Sequence, residues 1–251
     1  CALYHIDQAV RTISPFVVVL NYHSIASDGW FHSVDLSTLK SQVLTLKRLG
    51  FDSISPELLE SIISGKITPK RPSVVITFDD GYKNIFQTRI FFKKLGIKPV
   101  VFLLSDTKHA RRDELDTNEA FLSDSEVAAL ARDGWYIGSH SGTHAQLDTL
   151  QKDEMYREVK TSKAILEHRL KKKIDYFAYP KGRYNNEVLS LVRQANYKLA
   201  FSMDDGRITK NTDFLRIPRI GINRSHSLSE FRTLWSPSVI ASRRIIKSLI
   251  S

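Results

Sequence analysis

Ser73-Val74-Val75-Ile76-Thr77-Phe78 runs straight into Asp79-Asp80-Gly81-Tyr82. Six β-prone residues without a charged interruption read as a strand covered on both faces, which is the environment of a parallel sheet. The two carboxylates at its end repel each other, so a site holding both needs a cation or a proton between them. A metal bound by one would leave the other free as a general base. The alternative is that the acidic pair caps a following helix.

Working outward, Phe16-Val17-Val18-Val19-Leu20 has the same unbroken apolar character. Pro99 to Leu104, Trp135 to Ile137, Ile174 to Tyr179, Tyr197 to Phe201 and Leu215 to Ile222 read as further strands. Helical patterns fall between them. Leu36, Leu39, Val43, Leu46 and Leu49 recur at helical spacing before Gly50, and Ile85 to Leu95 precedes Gly96. Ser123 and Glu126 form a capping-box pattern ahead of Val127 and Leu130, and Lys152 to Leu170 and Glu187 to Ala195 complete the helices. Strands alternating with helices pair in parallel through right-handed crossovers. About seven such units fit a closed or nearly closed β/α barrel in one α/β domain better than an open doubly wound sheet, and barrel chemistry sits at the C-terminal strand ends.

Composition supports a folded body of this kind. The chain has 251 residues, 42% of them hydrophobic and 25% charged, which excludes collagen-like, low-complexity and disordered classes. Cys1 is the only cysteine, so neither an intrachain disulfide nor a cysteine-based zinc site can form. No apolar run approaches the roughly 20 residues that span a bilayer. Thirty-seven Lys and Arg against 27 Asp and Glu give a formal charge of +10, which favours anionic surroundings. The basic residues are scattered, without the aromatic-interleaved stripe of a nucleic-acid binder, so no nucleic-acid partner is expected.

Both ends of the sequence carry readings of their own. Cys1 fits a lipidated lipoprotein or a simple boundary of the chain, with residues 1–15 as an N-terminal extension. Residues 236–251 place Ile245, Ile246 and Leu249 among Arg243, Arg244 and Lys247. They read either as a basic amphipathic helix on an anionic membrane or envelope surface, or as a last helix packed on residues 16–235 with its cations outward.

Three more strand ends carry reactive groups. His140 and His144 lie four residues apart in Ser139-His140-Ser141-Gly142-Thr143-His144, where two imidazoles can converge on one cation. Ser141-Gly142-Thr143 is poor helix material, so a tight loop is expected. An Asp and two His with water in the remaining positions match an open catalytic metal site, although a surface histidine pair is the plainer reading of HxxxH alone. Tyr179-Pro180-Lys181-Gly182 forms a rigid turn that could aim a backbone N–H at a developing oxyanion. His23 follows the first strand, as a catalyst or as a hydrogen-bonded structural residue.

In this order the segments Thr77 to Tyr82, Ser139 to His144 and Tyr179 to Gly182 resemble the polysaccharide deacetylases of carbohydrate esterase family 4. The similarity covers roughly Phe16 to Trp235, and Leu20 to Ile25 with Tyr179 to Asn185 look closest to the poly-β-1,6-N-acetylglucosamine de-N-acetylase branch of biofilm export systems. The resemblance implies a distorted (β/α)7 barrel that hydrolyses N-acetyl groups from glycans with one divalent metal, by default zinc, with cobalt, nickel or iron as alternatives. It implies Asp79 as general base, Asp80, His140 and His144 as metal ligands, and Lys181 N–H in the oxyanion hole. Its substrate would be an N-acetylated polysaccharide outside the cytoplasm, on a periplasmic, cell-surface or secreted enzyme; oligomeric state is left open.

The sequence also departs from the family pattern. Ala178 stands where many members carry an Arg that orients the base, and the Asp- and Trp-containing fourth motif has only Asp204-Asp205-Gly206-Arg207 as its nearest text. The late general-acid histidine is replaced either by His23 or by His226. These departures leave open a glycan-binding domain without turnover, or a deacetylase of peptidoglycan, chitin or xylan.

Overall fold

The computed structural model describes residues 15–250. The expectations for residues 1–14, Cys1 included, therefore fall outside the described residues. Seven strands form one parallel sheet: β1 (Val17–Tyr22), β3 (Ser73–Phe78), β4 (Val100–Leu103), β5 (Tyr136–Ser139), β6 (Tyr176–Ala178), β7 (Leu199–Phe201) and β8 (Ile220–Gly221). Their spatial order is β7-β6-β5-β4-β3-β1-β8, and a two-residue β2 (Asp52–Ser53) adds to β3. The register is continuous from Val17↔Ser73 to Tyr22↔Phe78, so β1 and β3 end level with one another.

The sheet curls towards closure through its last segment. Leu20 pairs with Ile220 on one side, and on the other Ile217 N–H donates to Ala200 O at 2.9 Å. This segment, expected as one strand from Leu215 to Ile222, bridges β7 and β1 but is regular only over Ile220–Gly221. The architecture is the distorted (β/α)7 barrel. Helices α1 (Leu36–Arg48), α2 (Pro56–Ile63), α3 (Arg89–Leu95), a short α4 (Arg112–Leu115) and α5 (Asp124–Arg132) lie in the first half. In the second half come α6 (Lys152–Tyr156), a π-helical stretch Arg157–Thr161, α7 (Ser162–Leu170), α8 (Asn186–Gln194), α9 (Leu228–Phe231) and α10 (Pro237–Ile250).

Alternation along the strands sorts the core into two packed sets. Val17 and Val19 of β1, Val75 of β3 and Val100 and Phe102 of β4 cluster inside the barrel. Val18, Leu20 and Tyr22, Val74, Ile76 and Phe78, and Val101 and Leu103 pack outward against helices. Because successive side chains alternate, the inward rows continue through Asn21, Thr77 and Asp79 to the C-terminal rim. Gly138 belongs to the same interior layer: a Cβ there would lie 2.4 Å from the Phe102 ring.

Local signals explain most helix starts. Ser123 and Glu126 form the expected capping box, and Asn185 caps α8 by accepting from Val188 N–H at 2.9 Å. The expected helix from Ile85 is split, a 3-10 turn over Lys83–Thr88 preceding α3. Ser55 caps α2, with Pro56 at its first position, a start signal that the hydrophobic pattern alone did not bring out. Among the described residues no helix is long and apolar enough to cross a membrane.

The final helix does not pack with its cations outward, as the second of the two expectations had it. Arg243 Nε and Lys247 Nζ pair with the fully buried Asp205 carboxylate at 2.9 and 2.5 Å, while Ile245, Ile246 and Leu249 stay exposed. The cations face the protein because Asp205 would otherwise be a buried charge without a partner.

Candidate active site

The inward rows of β1, β3, β5 and β6 deliver their polar ends to a cavity of about 360 Å³ at the C-terminal rim. Asp79, Asp80, His140, His144, His23 and Lys181 all line it. His226 does not line it: its Nδ1 accepts from Asn223 N–H at 3.2 Å beside α9.

Asp79 extends β3, with its N–H donating to Tyr22 O at 2.9 Å. The chain then turns sharply. Asp80 takes φ +67°, which an acidic residue tolerates better than most, and Gly81 follows at +70° with no room for a Cβ, 2.6 Å from Leu103 Cδ2. That reversal sends two neighbouring carboxylates to different partners. The structure does not use the pair as a helix cap.

Asp80 Oδ1 faces His140 Nε2 at 3.3 Å and His144 Nε2 at 3.6 Å. It is buried and makes no hydrogen bond. His140 Nδ1 bonds Ala178 O at 2.8 Å, which fixes the proton on that nitrogen and leaves Nε2 as a lone pair. His144, held at φ +70°, turns its ring back beside the first. The three ligand atoms lie within 4.8 Å of one another, all on buried side chains. One carboxylate oxygen and two imidazole nitrogens converging without mutual hydrogen bonds are the donor set of a borderline divalent cation. These residues fit a metal.

Electrostatics point the same way. Burial pushes the Asp80 carboxyl up, but His140 and His144 outweigh it and hold it well below the carboxylate range. Burial pulls His144 down to about 4, so its imidazole is neutral and free to ligate. Burial also pulls His140 down, but Asp79 and Asp80 overcome it and raise it above the ordinary imidazole value. Positive charge is favoured between these groups.

Asp79 is held differently. Arg219 Nη1 donates to its Oδ1 at 2.7 Å and Arg219 Nη2 to its Oδ2 at 2.8 Å, and Asn21 Nδ2 adds a bond to Oδ2 at 3.0 Å. Arg219 is itself fully buried and further satisfied by Ser202 O at 3.1 Å and Asn21 Oδ1 at 3.0 Å. Burial pushes Asp79 up, yet the Arg219 guanidinium and His140 keep it ionised below its usual value. Sequence reading missed both Arg219 and Asn21. The signal available for Arg219 was its place, with Arg216, among the apolar residues of Leu215 to Ile222, a run expected as a strand.

His23 stands at the end of β1, partly buried, its ring 4.9 Å from that of His32 and 6.4 Å from Trp30. Its Nδ1 is buried without a hydrogen bond. Burial holds its pKa below the ordinary imidazole value despite Asp80 and Asp79 nearby. Lys181 takes φ +56° in the turn Pro180–Gly182, where Gly182 N–H and Arg183 N–H serve the turn's own carbonyls at 2.8 and 3.1 Å. Its side chain pairs with Glu114, also on the cavity wall, at 3.3 Å.

Residues 66–200, more than half of the chain, match the sequence model of the polysaccharide deacetylases. The chain belongs to the polysaccharide deacetylase family. It is 30% identical over 235 residues to a poly-β-1,6-N-acetyl-D-glucosamine N-deacetylase of Staphylococcus aureus, covering 82% of this chain and 78% of that one. It is 26% identical over 260 residues to the Escherichia coli K12 protein of the same name, covering 85% of this chain but only 38% of that longer one. In three dimensions it is similar to the Streptococcus pyogenes deacetylase PplD in complex with acetate, with a TM-score of 0.76 at 23% identity over 90% of this chain and all of that one. In this polysaccharide deacetylase the guanidinium that reaches the Asp79 carboxylate comes from Arg219, just before β8 and two strands over from β3.

Proposed function

We propose that this chain is a metal-dependent hydrolase removing N-acetyl groups from a poly-β-1,6-linked N-acetylglucosamine polysaccharide outside the cytoplasm. One observation carries the reading: Asp80, His140 and His144 converge on one point beside an ionised Asp79 that is not tied up in that convergence. The family supplies the reaction class, and the names of the Staphylococcus aureus and Escherichia coli relatives support the glycan.

Asp80 Oδ1, His140 Nε2 and His144 Nε2 would hold the cation, with zinc the best match to a nitrogen-rich set. When bound, a divalent ion there supplies Lewis acidity to the acetyl carbonyl and acidifies the attacking water. Asp79 accepts the proton of that water as the new C–O bond forms. Arg219 and Asn21 fix the direction of its lone pairs. Lys181 N–H, turned by its positive φ, donates to the carbonyl oxygen as charge builds on it. His23 gives a proton to the nitrogen as the C–N bond breaks, releasing acetate and an amine-bearing sugar. The fully satisfied Arg219–Asp79 pair favours turnover over a binding domain that has lost it.

The test is acetate release from β-1,6- and β-1,4-linked N-acetylglucosamine oligomers with zinc, cobalt and nickel. The β-1,6 series with zinc is expected to be fastest. Asp79→Asn should keep its zinc and lose roughly 10²- to 10⁴-fold in rate, whereas His140→Ala should lose the metal as well. Wild-type turnover in Asp79→Asn, or no acetate from any oligomer, overturns the reading.

A further inference from the structure

The loop that carries both imidazoles holds Ser141 and His144 at φ +71° and +70°. Its carbonyls are taken on one side: Ser141 O, Gly142 O and Thr143 O accept from Ser105, Asp106 and Arg111 N–H at 3.2, 2.9 and 2.8 Å. His144 N–H donates to Ser141 Oγ at 3.1 Å, and the donors of Gly142 and Thr143 turn to the other side and meet a single group. Gly142 N–H and Thr143 N–H donate to Glu158 Oε2 at 2.8 and 2.9 Å, and Thr143 Oγ1 donates to Glu158 Oε1 at 2.7 Å.

Glu158 is buried, 8% exposed, and its three bonds are of the stronger charge-assisted kind. The approach is close enough that a Cβ on Gly142 would lie 3.1 Å from Glu158 Oε2. The carboxylate comes from the π-helical stretch, where Ser162 N–H bonds Arg157 O five residues back. That wider turn presents Glu158 and Val159 to the interior together, and Val159 O is satisfied by Ser162 Oγ at 3.1 Å and Tyr197 Oη at 3.3 Å. π-bulges recur at functional sites because they re-aim side chains that a regular helix would place elsewhere.

Resting on the metal reading above, we infer that Glu158 is a positioning residue: its carboxylate locks the loop between His140 and His144 so that both Nε2 atoms face the cation. Glu158 does not line the cavity. Its effect passes through Gly142 and Thr143 N–H, which lie between the two histidines and bond the carboxylate directly.

The experiment compares wild type, Glu158→Ala, Glu158→Gln and Thr143→Val by competition of zinc against a chromophoric chelator, with thermal melting of the metal-free proteins alongside. Glu158→Ala is expected to weaken zinc binding about 10- to 100-fold. Glu158→Gln, whose amide oxygen still accepts from both N–H groups, should recover most of that loss. KM for the oligomer should stay unchanged, and rate should return as zinc is raised. Thr143→Val removes one bond and keeps both N–H bonds to the carboxylate, so it folds if Glu158→Ala does not; its metal-free melting temperature should drop by less than that of Glu158→Ala, and its zinc affinity should fall. Wild-type zinc affinity in Glu158→Ala, or in Thr143→Val where the alanine variant does not fold, overturns the inference. A wild-type protein that binds no zinc instead overturns the metal reading beneath it.

Discussion

Arg219 closes on Asp79 with both terminal nitrogens, at 2.7 and 2.8 Å, across 140 residues of sequence and with both side chains buried. A bidentate fork fixes the carboxylate plane, which a point charge would not do. The consequence is a base that stays ionised in a buried cavity and points its lone pairs one way.

Removing Arg219 should therefore cost stability and rate together. Arg219→Met leaves an uncompensated buried carboxylate, a loss of about 3–5 kcal/mol, or roughly 6–20 °C in melting temperature for a chain of this size. Arg219→Lys keeps the charge without the fork, so it should melt closer to wild type yet release acetate roughly 10²-fold more slowly. Melting curves and initial rates on the same preparations check both. An Arg219→Met protein as stable and as fast as wild type would refute the pairing's importance.

His23 makes a prediction that depends on the leaving group. A departing sugar amine needs a proton, whereas a nitrophenolate does not. His23→Ala is expected to lose about 10²- to 10⁴-fold on N-acetylglucosamine oligomers and far less on 4-nitrophenyl acetate. Equal losses on the two substrates would remove His23 from the proton-donor role.

How much of this was legible beforehand follows the reach of local pattern. Asp79 and His140 sit directly after strands and alternation carries them to the same rim, while Asp80 and His144 follow within short turns, so sequence order and strand ends sufficed to assemble them. Arg219 was hidden because its partner is distant and the strand that carries it is regular for only two residues. A charge directly flanked by Ile217, Pro218 and Ile220 was the one clue. Glu158 was hidden for a related reason, since a π-helical turn changes which residues of a long helix face inward. That the cations of α10 turn inward was hidden because it depends on Asp205, buried some 40 residues earlier, and not on the helix's own pattern.

A pH dependence is expected away from the cavity, at Asp133 just after α5. Lys93 Nζ bonds it at 2.8 Å and Arg89 bonds it too, and these hydrogen bonds hold its carboxyl below the usual range. A depressed folded-state pKa means stability that is full above the unfolded value near 4 and is lost as pH falls through the folded one. Asp133→Asn should thus melt below wild type at pH 7, and the gap should shrink as the pH drops below about 4. A gap that is constant from pH 7 to pH 3 would show that the ion pairs are not its cause.

Gly182 tests the oxyanion turn separately from the metal. Its φ is +72°, and a Cβ would lie 2.4 Å from Met203 Cβ and 2.7 Å from Met203 N. Gly65 has nearly the same backbone, φ +73°, with nothing within 4 Å of the position a Cβ would take. Gly65→Ala therefore reports left-handed strain alone, about 1–2 kcal/mol. Gly182→Ala meets the same strain and must also push the turn off Met203, carrying the Lys181 N–H with it. A displaced oxyanion donor is typically worth about 10²- to 10³-fold in turnover. Gly182→Ala should consequently lose kcat by roughly that factor while retaining zinc, and Gly65→Ala should lose only melting temperature. If the two variants melt alike and both turn over at the wild-type rate, the turn at Lys181 has no part in stabilising the transition state.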